Sequence, residues 1–157
     1  MYAPVRVKSS SMRPSLSSGD RVIVDRRASF NALERGDIIV FRIAPRAPGV
    51  EHRFRRDGGD TMLMVKRVVA LPGERIEAHA GVVVTDNTNT LDEPYLKGNP
   101  GSTEVPATDL DDDEVFVLGD NRDHSVDSRV FGPVPRREIV GVVSWRVWPF
   151  DGFGSVS

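Results

Sequence analysis

Residues 62–71 read Met-Leu-Met-Val-Lys-Arg-Val-Val-Ala-Leu and stop at Pro72-Gly73. The run is too short and too interrupted for a membrane helix, which needs ~20 apolar residues. Its valines, stiff at χ1, favour a pleated strand over a helix. Proline followed by glycine closes it as a turn. Alternation along such a strand puts Met62, Met64, Lys66 and Val68 on one face. A lysine with apolar neighbours on its own face is the first unusual feature of the chain.

Working outward, the same grammar repeats. Arg21–Asp25 (RVIVD) follows Gly19-Asp20, and Asp37–Ile43 (DIIVFRI) follows Arg35-Gly36. Arg75–His79 and Val82–Thr85 flank Ala80-Gly81 as a hairpin. Val115–Leu118 (VFVL) ends at Gly119-Asp120, and Ile139–Trp148 (IVGVVSWRVW) is the last long run. Short β-branched runs bounded by Gly, Pro, Asn and Asp predict a mostly-β fold with little helix. Helix is expected only as a turn or two in Ser29–Arg35 and a 3₁₀ turn at Pro135–Glu138. Loops are expected at Ala44–Asp60, Asp86–Thr90 and Lys97–Glu114.

The bulk properties narrow the function. A chain of 157 residues fits one domain. A net charge of -2 gives no electrostatic case for binding nucleic acid. With Cys 0, disulfides, thiolate metal sites and a cysteine nucleophile are excluded. The acidic run Asp109–Glu114 lacks the spacing of a calcium loop and reads as a solvated turn. No metal or cofactor is expected. The first ten residues hold no apolar run of signal-peptide type.

Nucleophilic chemistry then falls to serine. His52, His79 and His124 are the three histidines. A Ser-His-Asp arrangement built on His124 and Asp127 stays open at this point. The other base available to a serine is lysine, which works only when neutral and therefore desolvated. Lys66 has the apolar setting for that role, but an edge-strand lysine with its head in water has the same spacing. Near the amino terminus, Ser9–Leu16 (SSSMRPSL) offers three hydroxyls and no internal means of choosing among them.

Four blocks, in order, resemble the bacterial type I signal peptidases, a family of Ser-Lys membrane proteases. They are Ser11-Met12-Arg13-Pro14-Ser15-Leu16 with Gly19-Asp20, then Arg35–Phe41 (RGDIIVF), then Lys66–Glu74 (KRVVALPGE), then Gly119–Gly132 (GDNRDHSVDSRVFG). Asp92–Leu96 (DEPYL) also recurs in that family. Together the blocks span about Lys8 to Pro149. The resemblance implies a compact antiparallel, barrel-like β-sheet catalytic domain over 1–157, with a small hairpin or loop insertion at about 74–114. It implies Ser11 as nucleophile and Lys66 as general base. Ser9 matches the hydroxyl that joins the Ser11 N–H in an oxyanion hole. Ser125 matches the serine that orients the lysine, and Asp127 and Arg129 match a supporting pair. Three departures leave every catalytic group in place: Ser15 for threonine, which keeps the hydroxyl, Lys8 for proline, which alters the entry geometry, and Met64 where an aromatic is common, which packs less rigidly.

The same resemblance implies a signal peptidase I, cleaving preprotein signal peptides after small-x-small (Ala-x-Ala) sites. The peptide would lie as an added strand over pockets lined by Val7, Met12, Leu16, Val22, Val65 and Val126. It implies a monomer at the extracytoplasmic face of the bacterial cell membrane. Family members carry one or two transmembrane helices before the serine motif, and ten residues precede Ser11 here. The anchor is therefore expected to have been removed or to be naturally absent. Trp145, Trp148, Phe150 and Phe153 suit either a membrane interface or a cap on the core. Ala78-His79-Ala80 has the small-x-small pattern of a self-cleavage site.

Three rival readings fit parts of the same sequence. A dedicated maturation peptidase for a single partner shares the catalytic groups. A self-cleaving Ser-Lys repressor needs a helical DNA-binding domain and an Ala-Gly bond before the serine, whereas Ala80-Gly81 follows Lys66. A peptide-binding β-domain without activity is opposed by the retention of Ser11, Lys66 and Ser125.

Overall fold

The computed structural model describes residues 1–43 and 62–156. The expected loop Ala44–Asp60, with His52 and its charged tip, lies outside the described residues. The opening stretch forms a nine-residue strand, β4 (Met62–Ala70). Before it come β1 (Tyr2–Arg6), β2 (Arg21–Asp25) and β3 (Ile38–Ile43). After it come β5 (Arg75–His79), β6 (Val82–Thr85), the short β7 (Asn89–Thr90), β8 (Val105–Asp109) and β9 (Glu114–Leu118). The set closes with β10 (Val134–Pro135), β11 (Ile139–Trp148) and β12 (Gly154–Ser155).

The strands form two antiparallel sheets. The larger runs β1-β2-β11-β3-β4-β9-β10, with β12 beside β11; the smaller runs β7-β6-β5-β8 and uses only residues 75–109. One apolar cluster lies between β3, β4 and β9 around Ile39, Phe41, Met64, Val68 and Val117. A second joins the sheets, packing Ile76, Ala78, Val83 and Val105 against Val69, Ala70, Phe116 and Leu118. A third gathers Val7, Met12, Leu16, Val22, Ile38, Val40 and Val143 under the Ser9–Leu16 stretch.

Five strands lie where none was expected, β1, β7, β8, β10 and β12, and β1 and β8 are the longest of them. Both carry a proline, Pro4 in β1 and Pro106 in β8. Proline masks a strand pattern, yet an edge strand tolerates it because one row of N–H groups faces outward. Both strands are at sheet edges. The expected loop Lys97–Glu114 therefore holds β8, and Asp86–Thr90 holds β7. The 3₁₀ turn is found at Arg136–Glu138, and Ser29–Arg35 contains only the 3₁₀ turn Phe30–Ala32. The one α-helical turn among the described residues, α1 (Ser128–Phe131), is capped by Asp127, whose carboxylate accepts from the Arg129 N–H.

Candidate active site

Three segments distant in sequence converge at β4. The turn after β1 presents Ser11, β4 presents Lys66 and Arg67, and the chain leaving β9 presents Gly119-Asp120. Asn121 joins the first to the third: its N–H donates to the Ser11 carbonyl at 2.9 Å and its Nδ2 to the Ser10 carbonyl at 3.1 Å. Ser10 is exposed between two inward-turned hydroxyls.

Lys66 Nζ donates to Ser11 Oγ at 2.7 Å and to the Val65 carbonyl at 3.0 Å. Met64 and Val68, the neighbours on its face, belong to one apolar cluster. Lys66 is only 2% exposed and Ser11 6%. Burial lowers the Lys66 pKa to about 8, against the opposing pull of the Asp127 and Asp120 carboxylates. Ser9 Oγ lies 3.1 Å from Ser11 Oγ. The Ser11 N–H has no hydrogen-bond acceptor among the described residues.

Asp127 is fully buried. It accepts from the Gly119 N–H at 2.9 Å and from Arg129 Nε at 2.8 Å, and Arg129 Nη2 also donates to the Arg122 carbonyl. The expected Asp127–Arg129 pair is thus present, and it holds the Gly119 backbone. With Asp127 taken up by these groups, no hydrogen bond joins it to His124. His79 pairs on the surface with Glu104, and the histidine triad finds no support among the described residues.

Two expectations change. Ser125 Oγ is buried but unbonded, so the expected hydrogen bond to Lys66 is absent. It packs instead against Gly119, and Lys66 takes its second acceptor from its own strand. Of the six pocket residues, Val7, Met12, Leu16 and Val22 are core side chains no more than 3% exposed. They belong to the third apolar cluster. Only Val65 and Val126 keep partial exposure.

Sequence reasoning assigned no role to the buried charges beside the pair. Arg67 Nε and Nη2 chelate the Asp120 carboxylate at 2.9 and 2.7 Å. Arg67 Nη1 donates to the Gly36 carbonyl, and Nη2 also reaches Ser15 Oγ. Arg122 pairs with Glu93. A charged residue within a strand that has no room for water is the signal: Arg67 stands directly beside Lys66 in the opening stretch. Ala78-His79-Ala80 is held in the β5–β6 hairpin, with Ala80 at φ 48 and Ala78 buried, away from the extended form a protease binds.

A serine hydroxyl bonded to a desolvated lysine, within a mostly-β scaffold, defines the class of Ser-Lys serine peptidases. The signal peptidase, peptidase S26 family model matches residues 1–148. A probable signal peptidase I-1 of Synechocystis is 36% identical over 154 residues, covering 98% of this chain and 74% of that one. Signal peptidase I of Leptolyngbya laminosa is 36% identical, covering 96% of this chain and 70% of its own length. The crystal structure of a signal peptidase I from Enterococcus faecalis superposes with a TM-score of 0.53 at 30% identity, over 74% of this chain and all of that one. The chain belongs to the signal peptidase family, peptidase S26, and is a serine endopeptidase of the signal peptidase I kind.

Proposed function

We propose that Ser11 is the nucleophile and Lys66 the general base of a signal peptidase I that cleaves preproteins after small-x-small sites. The observation that carries this is the 2.7 Å contact between Lys66 Nζ and Ser11 Oγ in a setting that lowers the lysine pKa to about 8. Neutral Lys66 takes the Ser11 hydroxyl proton as Oγ attacks the scissile carbonyl. The Ser11 N–H and the Ser9 hydroxyl receive the oxyanion, for which one donor is worth ~3–4 kcal/mol. The lysine then passes its proton to the leaving amine, and the acyl-enzyme forms. Water, deprotonated by the same amine, releases the peptide acid and restores Ser11.

The signal peptide lies as an extended strand beside β4, its small side chains over Val65 and Val126, while the buried valines, Met12 and Leu16 shape that floor from beneath. Asp127, Arg129 and Ser125 support the loop. The domain spans the whole chain, with residues 74–114 as an insertion that carries the small sheet. It acts as a monomer at the extracytoplasmic face of the bacterial membrane. Among the described residues no helix is long and apolar enough to cross a membrane. Contact with the membrane surface is supported by Trp145, Trp148, Phe150 and Phe153, all exposed. They pair as Trp145–Phe153 and Trp148–Phe150 near the end of β11. Such a patch suits the interfacial zone of a bilayer.

Ser11→Ala and Lys66→Ala should each abolish cleavage of an Ala-x-Ala precursor peptide while circular dichroism stays that of the parent. Full activity in either folded variant would sink the mechanism.

A further inference from the structure

One aromatic ring near the site has no part in the steps above. Arg67 is completely buried, and its hydrogen bonds go to Asp120, Ser15 and the Gly36 carbonyl. Those partners lie around the edge of the guanidinium and leave its flat face to be covered. The Tyr95 ring covers it, with its centroid 3.9 Å from the guanidinium carbon. Tyr95 is itself tied down: its hydroxyl donates to Glu93 at 2.7 Å, Glu93 pairs with buried Arg122, and Arg122 Nε donates to the Gly119 carbonyl. Burial and the Glu93 carboxylate push the phenol pKa up, so it stays protonated and takes no part in proton transfer.

Arg67 is the bolt between the two halves of the site. It follows Lys66 on β4 and grips Ser15, on the turn that carries Ser11. It also grips Asp120, whose neighbour Asn121 holds the Ser11 carbonyl. We infer that Tyr95 is a positioning residue for the Ser11–Lys66 pair, acting through the face of Arg67; this rests on the proposed peptidase mechanism. A guanidinium held only at its edge is free to tilt and to admit water to its N–H groups. An aromatic face stops both, and the attraction is larger where water is excluded. Small displacements matter here, because a misplacement of about 1 Å can cost on the order of 10²-fold in rate. Tyr95 lies in the 3₁₀ turn Pro94–Leu96 between β7 and β8, so the connection within the small sheet's segment reaches the site.

The test separates the ring face from mere packing. Tyr95→Phe keeps the face and should hold kcat within about threefold, whereas Tyr95→Leu should lower kcat about tenfold or more with KM nearly unchanged. Because Tyr95→Leu can fail to fold, a second series places increasingly fluorinated phenylalanines at position 95. Size is nearly constant there while the ring's negative face weakens. A stepwise fall in kcat at constant KM is expected; a flat series overturns the inference. If the parent chain turns over no peptide, the peptidase reading fails, and positioning is read from the ¹³Cε titration of Lys66. That titration should move toward free lysine as the ring is fluorinated and stay put in Tyr95→Phe. A titration that never moves overturns the inference as well.

Discussion

Lys66 Nζ sits 2.7 Å from Ser11 Oγ across 55 residues of sequence, inside a protein that leaves the lysine almost no water. Desolvation disfavours the ammonium and brings the pKa to about 8; Asp127 and Asp120 limit how far it falls. The base must be neutral to act. The rate constant kcat/KM for a precursor peptide should therefore rise about tenfold per pH unit below that value and level off above it. Asp127→Asn removes the strongest opposing charge and should shift the acid limb to lower pH. A limb near the ~10.4 of free lysine would show that the titrating amine is not desolvated, against the burial reading.

The same burial has a consequence for stability. The folded pKa of Lys66, about 8, lies below its ordinary 10.5. Between those values the unfolded chain binds more protons than the folded one, so the cost of burying the amine is present in full below pH 8 and fades toward 10.5. The shift corresponds to roughly 3 kcal/mol. Lys66→Met, apolar and of similar length, should be more stable than the parent at pH 7, with the gap closing as pH is raised. Urea titrations at a series of pH values measure it; a gap that widens with pH would contradict the reading.

Ser9 Oγ lies 3.1 Å from Ser11 Oγ, close enough for its hydroxyl to reach the oxygen of a carbonyl that Ser11 attacks. Ser9→Ala should lower kcat by about 10²–10³ and leave KM nearly unchanged, since an oxyanion donor acts on the transition state alone. Equal losses in binding of an uncleaved peptide analogue would assign Ser9 to substrate binding instead.

The larger sheet was legible because β2, β3, β4, β9 and β11 carry β-branched runs bounded by turn residues. Edge strands β1 and β8 were not, since an edge escapes the pattern that burial imposes on its neighbours. At the site, the resemblance singled out Ser11 over Ser9 and Ser10, which local sequence could not do. Lys66 was legible as an oddity in an apolar strand. The Arg67–Asp120 and Arg122–Glu93 pairs were not, because charged residues read as solvated until tertiary contacts bury them. Val7, Met12, Leu16 and Val22 show the converse limit: apolar residues near a site look the same in sequence whether they line it or lie beneath it.

Gly119 is the tightest point of the site. A β-carbon there would lie 2.1 Å from Ser125 Oγ and 2.6 Å from the Ser11 carbonyl oxygen. A side chain such as Ser125 can swing away, but the Ser11 carbonyl is backbone and is held at 2.9 Å by the Asn121 N–H. Relieving the clash would shift the turn that carries Ser11 and disturb the 2.7 Å approach of Lys66. Gly119→Ala should thus lose at least about 10²-fold in kcat, the scale of a ~1 Å displacement. Adding Ser125→Gly removes the side-chain clash but leaves the backbone one, so the double variant should regain stability without regaining the rate. Recovery of both would locate the constraint in Ser125 rather than in the Ser11 backbone.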